Sequence, residues 1–529
     1  MYRLLKILLI LSFIISYCLY PQQDELRQQL IKLNQIVKVA NEKHISEIEA
    51  RELIDAAIKG LIQKLDPHSK YFTPEEVKLI EQRRKGITYS LGLSYQIIND
   101  TLTILSVLEG GPAFKAGLRT GDKILQINKE SLISKKEEQL ELLLNTEYEV
   151  NLNLVFQKYN SNKLNNITIR TQKLPIYSVD ASFIIDGTDI GYISVNRFMT
   201  KTHNEITDTL LSLMKKGMQK LIIDLRGNPG GVLDETYLTI DEFIPENNII
   251  LMTRGRDPNY NETYRSSAGG KFENLPLVVI VDKESASASE IFAGAIQDLD
   301  RGIIIGETTF GKGLVQRPYQ FYDGSELWLT VAQYYTPSGR SIQKPYENNP
   351  HYGTLQDRIV LKDGLNLSHT VEVLPEFANN VYRTKNGRTV IGSGGITPDY
   401  IINQDTLTKI SEKIINSNAF YKYIIEYYKK YEQELKTLYY NDFKYFLNNF
   451  DIDDIEYCDF VNYINSNGIE CEINEISKDT SIIKTLLKAN LAKIIWDDTK
   501  MKQVLVDSSI YLRKAIEMVP VAEQFIKKK

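Results

Sequence analysis

The stretch "LPLVVIVDKESASASEIFAGAIQDL", Leu275 to Leu299, decides the architecture. It begins with an almost unbroken apolar run, as expected of a strand buried on both faces. It ends in the helically patterned "SEIFAGAIQDL". Between them lies a strand-to-helix turn with three serines, Ser285, Ser287 and Ser289, alternating with alanine. Such a turn projects a side chain into a cleft while the first helical amides point at the same space, where they can hold an oxyanion. Position favours Ser287, with Ser289 as the helix cap and Ser285 in the approach. A serine hydroxyl needs a base within hydrogen-bond reach, and histidine, the usual base, occurs only five times in 529 residues.

The same texture extends to both sides. From Tyr177 to about Gln343 apolar strands alternate with helices. "IGYISV" (Ile190–Val195) precedes "THNEITDTLLSLMKKG", "KLIIDL" (Lys220–Leu225) precedes "RGNPGG" and a helix, and "GIIIGE" (Gly302–Glu307) follows the opening stretch. This is a sheet covered on both faces, with a site expected at the strand ends. From about Lys85 to Lys173 short alternating strands such as "NLNLVFQK" and "NITIRTQ" predict a separate β domain. Gln22 to about Gln82 is helical, and the interruption "LDPHSKYFTPEE" (Leu65–Glu76) implies two helices and a loop, with Thr73 and Pro74 as a helix start. Beyond Asn403 the chain reads as helices rich in Lys, Glu, Asn and Tyr, whose tyrosines at helical spacing are core and half-buried surface.

Length alone predicts two to four domains. A net charge of −5 and the lack of a basic run in the body give no sign of nucleic-acid binding. Arg3 and Lys6 precede an apolar run from Ile7 to Tyr20, the pattern of an export signal. No small-x-small pattern precedes Pro21, so cleavage and an uncleaved anchor both stay open. Cys458 and Cys471 fit a disulfide or two buried thiols equally well, and no Cys/His cluster has metal-ligand spacing.

Two further segments bear on the base and the oxyanion. In "GETTFGKGLVQ", Gly306 to Gln316, Lys312 lies between glycines in apolar company. Burial disfavours the ammonium, so such a lysine can serve as a neutral base in place of histidine. In "DLRGNPGG", Asp224 to Gly231, the order of a phosphate loop is absent. Its glycines instead permit close backbone approach to a substrate carbonyl.

These three segments, in this order, resemble the carboxyl-terminal processing peptidases (tail-specific proteases), which use a Ser-Lys pair. "YYTPSGRSIQ", "GSGGITPD" and "LDPHSKYFTPEE" also look like family segments. In that family nucleophile and lysine stand twenty-five residues apart, as Ser287 and Lys312 do here. The resemblance thus implies Ser287 as nucleophile, Lys312 as base, and Gln316, one helical turn beyond, as the residue orienting it. It implies an oxyanion hole from the N–H of Ala288 with that of Gly230 or Gly231. The β domain resembles a PDZ module, with "SLGLSY" at the carboxylate-binding loop, so that amides around Leu91, Gly92 and Leu93 would grip a chain terminus. The rival readings are a PDZ-bearing scaffold that binds tails without cutting and an esterase or lactamase on the same chemistry; a Ser-His-Asp triad built on His203 is the alternative mechanism.

The expected fold is α/β plus β, a mixed-sheet protease core with an inserted PDZ-like β domain and helical N- and C-terminal regions. The expected segments are 1–20 (signal or anchor), 22–84 (helical), 85–173 (PDZ), 174–402 (protease core, with 57–84 packing on it) and 403–529 (helical). The resemblance implies an exported serine endopeptidase of the periplasm or cell envelope, acting on proteins with free, apolar C-termini. No cofactor, metal or nucleic acid is expected; a membrane tether and a homodimer stay open.

Overall fold

The computed structural model describes residues 24–345, 380–402 and 407–527. The N-terminal apolar run, His351 and His369 lie outside the described residues. The chain divides into two units, one holding residues up to Val77 with Gln316–Thr330, the other Lys78–Val315 with everything from Val331 on.

The first unit begins with helix α1 (24–43), followed by α2 (Ala50–Ile62), strand β1 (Lys70–Phe72) and the start of α3 (Pro74–Arg84). Three helices therefore stand where the sequence implied two. On α1, Leu26, Leu30, Ile31 and Ile36 are exposed despite their periodic spacing. Thr73 begins α3 as expected: its N–H donates to Glu76 Oε2, and the Glu76 N–H returns to Thr73 Oγ1. "DPHS" is a turn organised by Asp66, whose carboxylate accepts the N–H groups of His68 and Ser69.

The β domain of the second unit comprises β2 (Ile87–Ser90), β3 (Leu93–Ile98), β4 (Thr101–Val107), α4 (Pro112–Lys115), β5 (Lys123–Ile127), β6 (Glu130–Ser131), α5 (Glu137–Leu144), β7 (Asn151–Gln157), β8 (Leu164–Arg170) and β9 (Gln172–Pro175). "SLGLSY" is thus two strands parted at Leu91–Gly92, where Gly92 takes φ +68°. Strands β3-β4-β5-β7-β8 form one antiparallel sheet with β3 at its edge. Its core holds Leu102, Ile104, Ile124, Leu140 and Leu154.

The α/β core runs through β10 (Val179–Ile184), β11 (Ile190–Val195), α6 (Thr202–Lys215), β12 (Lys220–Asp224), α7 (Leu233–Asp241), β13 (Ile249–Gly255), β14 (Thr263–Arg265), β15 (Leu277–Val281), α8 (Ala288–Asp298) and β16 (Ile303–Gly306). It continues through β17 (Leu314–Gln320), β18 (Glu326–Tyr335), β19 (Val381–Arg383), β20 (Thr389–Ile391) and β21 (Tyr400–Ile401). Six strands lie in the order β10-β11-β12-β15-β16-β21, with β10 alone antiparallel to its neighbour. Every residue of β11, β15 and β16 is buried, which is why those strands read as continuous apolar runs.

The remaining helices are α9 (Lys409–Ile415), α10 (Asn418–Tyr439), α11 (Phe443–Asn449), α12 (Asp454–Ser466), α13 (Ile473–Ile476), α14 (Thr480–Ile495), α15 (Asp498–Asp507) and α16 (Ile510–Lys527). Tyr427, Tyr428 and Tyr457 are buried in their core, so these tyrosines are packing residues. One face of the six-stranded sheet packs against α6, α7 and α8. The other is covered by α16, whose Tyr511, Leu512, Ala515 and Val519 lie on Tyr192, Ile222, Ile280 and Ile305. Sequence reasoning placed no part of the C-terminal region on this sheet. Cys458 is exposed and Cys471 buried, and both are free thiols. Among the described residues no helix is long and apolar enough to cross a membrane.

Candidate active site

Strand β15 ends at Val281, and Asp282 turns the chain by accepting the N–H groups of Glu284 and Ser285. The same carboxylate accepts the Gly227 N–H, tying this turn to the loop after β12. Ser287 then takes φ 55° and ψ −114°. A non-glycine residue pays for that conformation with about 1–3 kcal/mol of backbone strain, retained where the surroundings enforce it.

The three serines differ sharply. Ser285 and Ser289 are fully buried, and their hydroxyls donate to backbone carbonyls, Ser285 to Leu225 O at 2.8 Å and Ser289 to Asn228 O at 2.9 Å. Ser287 is half-buried. Ser289 is not the helix cap: Ser287 occupies that position, and Ser289 lies in the first turn with its hydroxyl held by the neighbouring loop.

Two buried side chains join the turn at Ser287 to the loop at Lys312. Glu290, with no exposed surface, accepts the N–H of Ser287 and the N–H of Lys312 on the same oxygen, Oε2, each at 2.8 Å. Its Oε1 accepts the Gly311 N–H at 2.7 Å and the Thr309 hydroxyl at 2.6 Å. Burial pushes the Glu290 carboxyl above its usual pKa, while these four donors favour the charged form. On the carbonyl side, the Tyr334 hydroxyl lies 3.1 Å from Ser287 O and 2.7 Å from Lys312 O. Burial raises the Tyr334 phenol well above its usual value, which keeps it a donor. The main chains at residues 287 and 312 are therefore held together from both sides. Neither Glu290 nor Tyr334 was read as functional from the sequence. The Ser287-x-x-Glu290 spacing of a capping box was the available signal for the first; Tyr334 carried none.

The loop "DLRGNPGG" packs on the same turn. Asn228 O accepts the Ala286 N–H at 3.0 Å as well as the Ser289 hydroxyl. A methyl group on Gly230 would lie 2.8 Å from Ala288 N and 2.9 Å from Ser287 Cβ, so only glycine allows this approach. The Gly230 N–H is engaged by Asn228 Oδ1 at 2.9 Å. Among the described residues no acceptor stands opposite the N–H of Ala288 or Gly231. At the start of the loop, Asp224 accepts the Arg226 guanidinium and the Tyr192 hydroxyl. Burial alone would raise the Asp224 carboxyl, but Arg226 outweighs it and holds it below the usual range. Arg226 in turn lies over the Tyr511 ring, 4.4 Å from its centroid.

Gln316 lies in strand β17 rather than a helical turn beyond Lys312. It belongs to the first unit, where its amide donates to Thr330 Oγ1 at 3.4 Å and Thr330 donates to Asp66 at 3.1 Å. His203 is occupied elsewhere, its ring 3.0 Å from Glu242, a carboxylate that also takes Lys271. Nothing ties His203 to the serine turn among the described hydrogen bonds.

In the β domain a groove is lined by Ser90, Leu91, Leu93 and Tyr95 on one side and Glu141, Leu144 and Asn145 on the other. The carbonyls of Leu91 and Gly92 turn inward to Ala113 N and Leu108 N. In a trans peptide the N–H points opposite to the carbonyl, so the amides of Gly92 and Leu93 face away from the domain body, that of Gly92 donating to Ser90 Oγ at 3.4 Å.

With a serine turn packed against a glycine loop and a lysine loop on a sheet covered by helices, residues 189–354 match peptidase family S41, and residues 103–155 match a PDZ domain. Both matches agree with the resemblance read from the sequence. Residues 411–497 match a family of unknown function (DUF8443). Among curated relatives, the probable CtpA-like serine protease of Staphylococcus aureus (strain N315) is 31% identical over 315 residues, covering 59% of this chain and 62% of the relative. The protein of the same name from Staphylococcus epidermidis (strain ATCC 12228 / FDA PCI 1200) is 28% identical, covering 63% and 67%. The chain thus spans about 62% of the length of the first of these relatives. A solved structure, the photosystem II D1 C-terminal processing protease, is 27% identical with a TM-score of 0.33, covering 57% of this chain and 82% of that one.

Proposed function

We propose that this chain is a serine endopeptidase that recognises protein C-terminal tails through its PDZ groove and cleaves a peptide bond upstream with a Ser287–Lys312 pair. One observation carries the reading: Glu290 and Tyr334 each bond to the backbone of both residues. Such fixed positioning is what a nucleophile and its base require.

In this reading Ser287 Oγ attacks the scissile carbonyl as its proton passes to the neutral Lys312 amine. The tetrahedral oxyanion is held by the Ala288 N–H and, because Asn228 occupies Gly230, by the Gly231 N–H. Lys312 then donates the proton to the leaving amine, and the C–N bond breaks to leave an acyl-enzyme. Water, deprotonated by Lys312, releases the product and restores Ser287. A tail carboxylate would accept from the amides around Leu91, Gly92 and Leu93, with its last side chain among Leu91, Leu93 and Leu144. The N-terminal apolar run supports an exported location.

The test uses a peptide substrate with an apolar C-terminus. Ser287→Ala and Lys312→Ala should each abolish cleavage, and amidating the substrate's terminus should reduce it. Cleavage by both variants at the wild-type rate would sink the Ser-Lys mechanism; indifference to amidation would sink tail recognition.

A further inference from the structure

The groove of the β domain has a far end, and it is occupied by the C-terminal helical region. Strand β3 is the edge to which an extended tail would add. Residues Ile98 and Thr101 flank the two-residue turn Asn99–Asp100 and pair across it. In an antiparallel ladder alternate residues direct their backbone groups to the partner strand. Ile98 and Gln96 therefore face β4, while Ile97 and Tyr95 present their N–H and C=O groups to the open edge. Leu93 does the same, since its neighbour Gly92 bonds to Leu108 N on the β4 side.

Asn418, the first residue of α10, meets this edge. With its amide turned so that donor faces acceptor, Nδ2 donates to Ile97 O at 3.0 Å and Oδ1 accepts the Asn99 N–H at 3.2 Å. Asn418 thereby occupies the outward-facing carbonyl of Ile97 and the outward-facing N–H of Asn99, two groups an added strand would otherwise use. The contact is backed by packing: Ile425, two turns further along α10, lies with Ile98, Leu105, Tyr159 and Tyr421 in one apolar cluster. At the helix's other end the Tyr440 hydroxyl donates to Glu109 at 2.7 Å. The start of α10 is thereby fixed at the end of the groove farthest from Leu91–Leu93.

We propose that the C-terminal helical region is a length gauge for the substrate tail, with Asn418 ending strand addition at Ile97. A tail anchored by its carboxylate at Leu91–Leu93 runs antiparallel to β3 toward Ile97. Each outward-facing residue of β3 serves two residues of the added strand, so Leu93 and Tyr95 read about four tail residues. The fifth would need the Ile97 carbonyl, which Asn418 already holds. Asn418 is thus a specificity-determining residue outside both the PDZ and the peptidase sequence, and this rests on the tail-recognition reading above.

The experiment measures binding of fluorescein-labelled peptides of three, four, six and eight residues, ending in a valine carboxylate, to the full chain carrying Ser287→Ala. A second protein adds Asn418→Asp, which keeps an acceptor for the Asn99 N–H but sets an oxygen against Ile97 O. Affinity should rise to four residues and then level off. With Asn418→Asp the six- and eight-residue peptides should bind about three- to tenfold tighter, the worth of a regained hydrogen-bonded pair, with the four-residue peptide unchanged. Amide exchange supplies an independent readout: tail binding should slow exchange at Tyr95 and leave Asn99 as it was. Affinity that keeps climbing beyond four residues in the Asn418 protein overturns the gauge, as does an eight-residue peptide indifferent to Asn418→Asp. If no free-carboxylate peptide binds better than its amide, tail recognition itself fails and the gauge falls with it.

Discussion

Glu290→Gln isolates what the buried carboxylate does. Volume is kept, but one acceptor oxygen becomes an NH2. Whichever way the amide turns, two of the four donors now face a donor: Ser287 N–H and Lys312 N–H on one side, or Gly311 N–H and the Thr309 hydroxyl on the other. The second orientation is the milder, because the Thr309 hydroxyl can rotate and accept. The Gly311 N–H cannot, and a buried donor left without an acceptor costs about 1–3 kcal/mol. Either way the loop carrying Lys312 loosens against the turn carrying Ser287, and a displacement of about 1 Å between reacting groups costs on the order of 100-fold in rate. Steady-state kinetics on an apolar-tailed peptide should show kcat reduced about 100-fold with KM nearly unchanged, because the tail groove is untouched. The melting temperature should also fall. A Glu290→Gln enzyme with kcat within about threefold of the parent would refute the idea that this carboxylate sets the spacing of the pair.

Ser289→Ala should cost about 1 kcal/mol in urea unfolding, for one buried hydrogen bond, and Ser285→Ala more, because its hydroxyl also accepts the Asp282 N–H; both should keep most activity, and loss of cleavage comparable to Ser287→Ala would contradict the assignment of roles among the three serines. Gly231→Ala should disrupt the fold, since its methyl would lie 1.9 Å from Phe198 O, whereas Gly117→Ala, where nothing lies within 4 Å, should cost only the strain of a positive φ, about 1 kcal/mol. Comparable melting temperatures for these two variants would be inconsistent with the packing of the glycine loop. Asp224 has its folded-state pKa held below the unfolded value of about 3.8. Its contribution is therefore complete above that value and lost as pH falls through the folded one. The stability gap between the parent and Asp224→Asn should accordingly shrink below about pH 4. A gap that widens on acidification has the sign wrong.

Where the sequence was legible, burial on two faces was the reason. Leu277–Val281 and Ile303–Gly306 lie between helical layers, so every position had to be apolar and the strands could be recognised by composition. The start of α3 was equally plain, because Thr73, Pro74 and Glu76 act through local bonds alone. What depended on distant partners was not legible. Ser289 has the residue type of a cap, but its hydroxyl is claimed by Asn228 from another loop. Gln316 was counted onto a helical turn, whereas it continues a strand whose pairing comes from β18. Gly230 and Gly231 looked interchangeable until the Asn228 side chain took one amide. Tyr334, some twenty residues beyond Lys312, is brought to both carbonyls only by the fold. The role of α16 as the cover of a whole sheet face had no local signature, because an amphipathic helix does not name what it packs on.

At residues 287 and 312, Glu290 and Tyr334 grip peptide groups, not side chains, and this separates shape from reactivity. Those bonds run to the backbone, so replacing the side chain of Ser287, the proposed nucleophile, or of Lys312, the proposed base, leaves all four in place. Under the proposed function, a Ser287→Ala chain should keep its tail groove and hold a client it is unable to cut. For the experimenter that is a substrate trap obtained by one substitution. For a lineage it is a short road from protease to adaptor.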